Sequence, residues 1–185
     1  MMAYGGKIIP LYETGYEPDW MSPWLVPIVS AIAKSPDIVP FIGKSYPIGA
    51  NMGFRRSCIE KVGLFNTTLG RTKKNLIGGE EKDIFNRVQL QNMQVLYFPN
   101  LIVHHVIPES RTTMTYVRNM AVGVGQSEKI RCSSCVREYL AVILKELIKW
   151  GGSIVLALYY FLLGKPLKSK ALLVFRWNVT KGLLQ

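Results

Sequence analysis

The chain is short of acid: 12 Asp or Glu stand against 23 Lys or Arg, for a formal net charge of +11. The surplus is uneven, because residues 129–185 carry ten Lys or Arg against Glu138 and Glu146, leaving +3 for residues 1–128. Cysteine is scarce too. Cys58, Cys132 and Cys135 form an odd set with no disulfide framework, as in a reducing compartment. Cys132-Ser133-Ser134-Cys135 has a spacing used in metal and redox chemistry, but no second pair follows it and Cys58 is distant, so a four-cysteine zinc site is incomplete. The opening Met-Met-Ala-Tyr-Gly-Gly-Lys lacks the long apolar run of a secretory signal.

What is present is a foldable chain. With 185 residues, 49% of them hydrophobic, it can bury a core and is too apolar for a disordered polyelectrolyte; one domain plus an appendage is expected. The basic tail suits either nucleic acid or an anionic membrane surface. Its positive residues are interleaved with apolar stretches rather than gathered in a stripe, which favours the membrane and argues against nucleic acid.

The most informative stretch is Ile77-Gly78-Gly79-Glu80-Glu81-Lys82-Asp83-Ile84-Phe85-Asn86-Arg87-Val88. A Gly-Gly pair allows a tight turn, and Ile84, Phe85 and Val88 have helical spacing, so Glu80, Glu81 and Asp83 fall where a loop becomes a helix. Free backbone N–H groups and the macrodipole favour negative charge there. The position suits a general base, and it equally suits ordinary first-turn acids that start a helix.

Along the chain, residues 6–11 read as a strand, 12–24 as an aromatic loop with Trp20 and Trp24, and 25–33 as a short helix closed by Ser35-Pro36. Pro47-Ile48-Gly49-Ala50-Asn51 is a turn whose glycine permits close approach of a ligand, with Asn51 offering a donor and an acceptor. Residues 57–62 predict a helix capped by Ser57 and stopped by Gly63, followed by a basic loop with Arg71, Lys73 and Lys74. Two strands, 93–98 and 101–106, flank a Pro99-Asn100 turn; His104 and His105 then point to opposite faces, so at most one serves a given ligand. Arg111 and Arg118, seven residues apart, share a helical face ahead of a flexible break at residues 123–127.

In the tail, Leu140, Ile143, Leu144, Leu147 and Ile148 form an apolar helical face. Trp150 to Gly164 is an uncharged run of 15 residues between Lys149 and Lys165. At ~1.5 Å per residue it spans roughly 22 Å, short of the ~30 Å hydrocarbon core, so an interfacial or re-entrant helix fits better than a transmembrane one.

Gly49-Ala50-Asn51-Met52-Gly53-Phe54-Arg55-Arg56, Val62-Gly63-Leu64-Phe65, Gly78-Gly79-Glu80-Glu81-Lys82-Asp83 and His105-Val106-Ile107-Pro108-Glu109-Ser110-Arg111, in this order, resemble the second half of a bacterial family 2 glycosyltransferase. The resemblance runs from about residue 5 to about residue 128, and it departs from the family where Glu81 stands in place of the usual aspartate of Gly-Gly-Glu-Asp. It implies an α/β fold, a partial GT-A-like (Rossmann-like) mixed sheet with flanking helices over residues 1–128; composition, beyond the resemblance, adds a basic, apolar, membrane-associating helical tail over 129–185.

By the same resemblance the activity is inverting, metal-dependent transfer of a sugar from a nucleotide-sugar donor to a hydroxyl of a lipid or polysaccharide acceptor, at the cytoplasmic face of a membrane. Glu81 is the expected base, with Glu80 or Asp83 orienting it or holding the helix start. Gly49 and Asn51 line the sugar pocket, Arg111 and Arg118 face the donor diphosphate, and His105 helps bind a divalent metal, Mg or Mn. The family's nucleotide-binding half and its Asp-x-Asp have no counterpart here. The chain is therefore expected to be inactive alone and to need a separate donor-binding polypeptide; the alternative is a non-catalytic membrane-bound subunit or an inactive fragment.

Overall fold

The computed structural model describes residues 1–70, 78–132 and 135–185. The basic loop with Arg71, Lys73 and Lys74 lies outside them, as do Ile77 and the two serines of the Cys-x-x-Cys. The fold is mixed α/β. It divides into two compact units: Met1–Glu13, Val26–Gly70 and Gly79–Ile107 form the first, while Thr14–Leu25 and Pro108–Gln185 make up most of the second.

The first unit is built on β1 (Ala3–Tyr12), the central strand of an open four-stranded sheet. With β2 (Val39–Pro40), β3 (Met52–Phe54) and β4 (Val95–Ile107), the order is β2-β4-β1-β3. β4 runs parallel to β1, whereas β2 and β3 are antiparallel to their neighbours, so the sheet is mixed. β4 replaces the two expected strands. Its pairing jumps from Gly6↔Phe98 to Lys7↔Ile102, so Pro99, Asn100 and Leu101 are absorbed as an irregularity inside one continuous strand instead of reversing the chain.

Helix α1 (Arg56–Val62) follows β3, and its N-cap is Arg55 rather than Ser57, with no side-chain cap. Helix α2 (Glu80–Leu90) begins after Gly79, whose φ of 100° requires a residue without a Cβ. Ile84, Phe85 and Val88 are buried as their spacing predicts, joining Ala3, Phe41, Cys58, Val95 and Tyr97 in one cluster under the sheet. Phe85 stacks on Phe54 at 4.9 Å between ring centroids. Burying a side chain of that size contributes about 1.5–3 kcal/mol, so α2 is held to the sheet mainly by this apolar face. The expected helix over residues 25–33 shrinks to a single 3-10 turn, Val26–Val29. Ile32 exchanges both backbone hydrogen bonds with Ile8 of β1, and this sheet-like pairing outcompetes helix propensity.

The second unit is helical: α3 (Met114–Cys132), α4 (Val136–Leu162) and α5 (Pro166–Leu184). Trp20 is buried and its indole N–H donates to the Thr112 carbonyl at 2.7 Å, whereas Trp24 is exposed. The flexible break expected at residues 123–127 is the middle of α3. Gly125 faces the backbone of Val179 and Leu183, and Gly182 faces that of Val122, leaving no room for a Cβ at either. These glycines let α3 and α5 touch backbone to backbone, and packing offsets their poor helix propensity. α4 turns into α5 through Gly164, with φ of 69°, and Pro166 opens α5 where a missing N–H costs nothing. No described helix is long and apolar enough to cross a membrane.

Candidate functional site

The acids of α2 have three different surroundings. Glu81 Oε1 accepts the backbone N–H of Gly49 at 3.1 Å. A Cβ on Gly49 would stand 2.6 Å from that oxygen, so the glycine admits the carboxylate itself to the backbone. Two motifs 32 residues apart in sequence are thereby joined in one contact. Glu80 points to Gly70: a Cβ there would lie 3.9 Å from its carboxyl carbon, and its Oε2 is shielded from water and accepts no hydrogen bond among the described residues.

Asp83 turns away from both and along its own helix. It accepts Arg87 Nε at 3.1 Å and Nη2 at 2.9 Å. Arg87 also donates to the carbonyls of Val62 and Leu64, at the end of α1 and just beyond it. The Asp83–Arg87 pair thus ties α2 to the exit of α1. The i,i+4 spacing of an acid before a base was the signal that could have identified Arg87 from sequence.

Gly49–Asn51 forms a short 3-10 turn leading into β3. The Asn51 amide donates to the Lys7 carbonyl at 3.0 Å and the Leu101 carbonyl at 2.8 Å. Those acceptors lie beside the jump in register between β1 and β4, so Asn51 ties its turn to both strands at that irregularity. The same residue that anchors the turn carrying Gly49 therefore fixes where Glu81 is held.

His105 lies on β4 opposite Pro10, half-buried, with Nε2 shielded from solvent, while His104 is exposed. Among the described residues no three His, Cys, Asp or Glu side chains converge to hold a metal ion. The donor set around His105 therefore does not by itself fit a divalent cation.

Arg111 and Arg118 belong to the second unit. Arg111 sits in a 3-10 turn, Glu109–Thr112, and Arg118 in α3, so no single helix carries both. Arg118 is exposed and Arg111 half-buried. In the same unit the Cys132 thiol is buried and donates to the Glu128 carbonyl at 3.0 Å; burial pushes its pKa up, as it does for the fully enclosed Cys58. Neither thiol has the lowered pKa of a reactive cysteine.

Comparison of the chain with protein-family models, with curated proteins and with solved structures found no match.

Proposed function

We propose that residues 1–128 form the acceptor-side half of a GT-A-like, family 2 glycosyltransferase and that residues 129–185 bring it to the cytoplasmic face of a membrane. The observation that carries the reading is the Glu81–Gly49 hydrogen bond, which unites the Gly-Gly-Glu-Glu and Gly-Ala-Asn stretches at a helix start. A carboxylate held there by a backbone N–H is oriented before substrate arrives, as general-base catalysis needs.

In the proposed reaction Glu81 takes the proton of an acceptor hydroxyl, on a lipid or a polysaccharide. The hydroxyl oxygen bonds to the anomeric carbon of the nucleotide sugar from the face opposite the diphosphate. The bond from that carbon to the diphosphate oxygen breaks, and the nucleoside diphosphate leaves with the electron pair. Neutralising the negative charge of the leaving group is the role that the resemblance gives to Arg111 and Arg118. His105 would be one ligand of a Mg or Mn ion if the donor-binding polypeptide supplies the others; no step above depends on it.

The test follows sugar transfer in membranes of the source cells carrying the chain. Glu81→Gln is expected to lower kcat by about 10²–10⁴-fold. Asp83→Asn, which loosens Arg87, is expected to change stability more than kcat. Transfer by Glu81→Gln within a few-fold of wild type would overturn the assignment and leave the chain as a non-catalytic membrane-bound subunit.

A further inference from the structure

Helix α4 buries polar side chains and turns large apolar ones outward, whereas α5 buries Ala171, Leu172, Val179 and Leu183. The face of α4 that meets neighbouring helices buries Glu146, Ser153, Ala157 and Tyr160, spaced by seven, four and three residues and so on one side of the helix. Glu146, only 4% exposed, accepts Arg176 Nη1 at 2.8 Å and Lys149 Nζ at 3.4 Å. Arg176 Nε donates to Ser153 Oγ at 3.2 Å, and Trp150 Nε1 donates to Thr180 Oγ1 at 2.9 Å. The buried face of α4 thus carries an ion pair and hydrogen bonds to α5 alongside Ala157 and Tyr160.

The outward face is apolar. Leu144, Leu147, Ile148, Leu158, Phe161 and Leu162 are all exposed, Ile148 by 70% and Leu162 by 76%. At 3.6 residues per turn the exposed apolar positions of α4 fan over about 160° of its circumference, wider than the narrow seam that a single partner helix covers. At the turn into α5, Leu163 and Leu167 extend the surface on either side of Lys165.

The charge around this surface is mostly positive, with Glu138 at the start of α4 as an exposed acid. Residues 135–185 hold eight Lys or Arg and two Glu, a net of +6, and one of those acids, Glu146, is the buried partner of Arg176. A second copy laid on the same face would bring like charges together. An anionic layer with an apolar interior satisfies both the width of the face and its charge.

We propose that α4 and α5 form a monotopic membrane-docking hairpin whose occupant is the headgroup–acyl boundary of an anionic phospholipid bilayer. The outer face of α4 lies among acyl chains, Lys145, Lys165, Lys168 and Lys170 reach phosphate level, and the Glu146–Arg176 pair helps hold the two helices together beneath it. This names the surface left general in the proposed function; it rests on that reading only for the involvement of a membrane and is independent of the sugar chemistry.

The experiment is co-sedimentation of the full chain with vesicles of phosphatidylcholine, with and without phosphatidylglycerol. Partitioning at least tenfold stronger onto the anionic vesicles is expected. Leu147→Glu with Leu158→Glu, both on exposed positions, abolishes it with an unchanged circular dichroism spectrum. Replacing Lys165, Lys168 and Lys170 by Gln lowers it about a hundredfold at low salt. Equal binding to both vesicle types, no binding, or a soluble dimer that the two glutamates dissociate would each overturn the proposal. Sugar transfer followed in the same samples separates the two readings, since Glu81→Gln leaves vesicle binding intact.

Discussion

Helices α2 and α4 solve the same problem in opposite ways. In α2 the buried face is Ile84, Phe85 and Val88, and the acids sit at its first turn. In α4 the buried face includes Glu146 and Ser153, and the large apolar side chains point out. A helix against water buries what water rejects; a helix whose polar seam is internal and whose leucines are external is suited to a surrounding less polar than its own interface. The interiors of the two units therefore differ in part, since the second buries an ion pair as well as apolar side chains. Apolar burial dominates the first, whereas backbone-close packing of α3 on α5 and a satisfied ion pair are prominent in the second.

The sharpest way to break this contrast is at the centre of each interior. Phe85→Ala removes the ring that stacks on Phe54 and is expected to cost about 3–5 kcal/mol, read from the urea midpoint of the first unit's transition. A loss under about 1 kcal/mol would mean that α2 is not held by its apolar face. Arg176→Met leaves the buried Glu146 carboxylate with only the longer, half-exposed Lys149 contact and is expected to cost up to a comparable ~3–5 kcal/mol, while the double change Glu146→Met, Arg176→Met restores stability to within about 1 kcal/mol of wild type or above it. If the double variant is as unstable as the single one, the seam does more than pair two charges.

A smaller effect is expected from pH. Burial raises the pKa of the Cys58 thiol, so the folded state keeps its proton where the unfolded chain, with a thiol pKa of about 8.5, begins to lose it. The contribution is fully present below the unfolded value and is lost as pH rises toward the folded one. Urea melts between pH 7 and 10 should show stability falling with a slope that Cys58→Ala reduces; an identical slope in the variant would assign the loss to other groups.

Local signals carried much of the fold. The helical spacing of Ile84, Phe85 and Val88 after Gly-Gly located α2, and the run Lys-Ile-Ile-Pro-Leu located the middle of β1. Where the reading differs from the structure, a distant partner intervenes. Ile32 pairs with Ile8, Asn51 bonds to carbonyls on both sides of the irregularity between β1 and β4, and Gly125 packs on the backbone of α5. No local pattern encodes those contacts. The same holds for the site: the acids of α2 were legible as first-turn residues, but that Glu81 meets Gly49 while Asp83 turns to Arg87 is a tertiary fact. The apolar face of α4 was legible, and its outward direction was not, because a lone Glu146 in an apolar stretch gives no sign of an Arg176 thirty residues on.

The most direct test of the contrast places an environment-sensitive fluorophore on the outer face of each helix. Asn86→Cys on α2 and Leu158→Cys on α4, each with Cys135→Ser to remove the half-exposed native thiol, would be labelled and mixed with anionic vesicles. The label at 158 is predicted to be quenched by a spin-labelled lipid and shielded from iodide, and the label at 86 to behave the other way. Equal iodide quenching at both positions with vesicles present would contradict the account, because both helices would then face water.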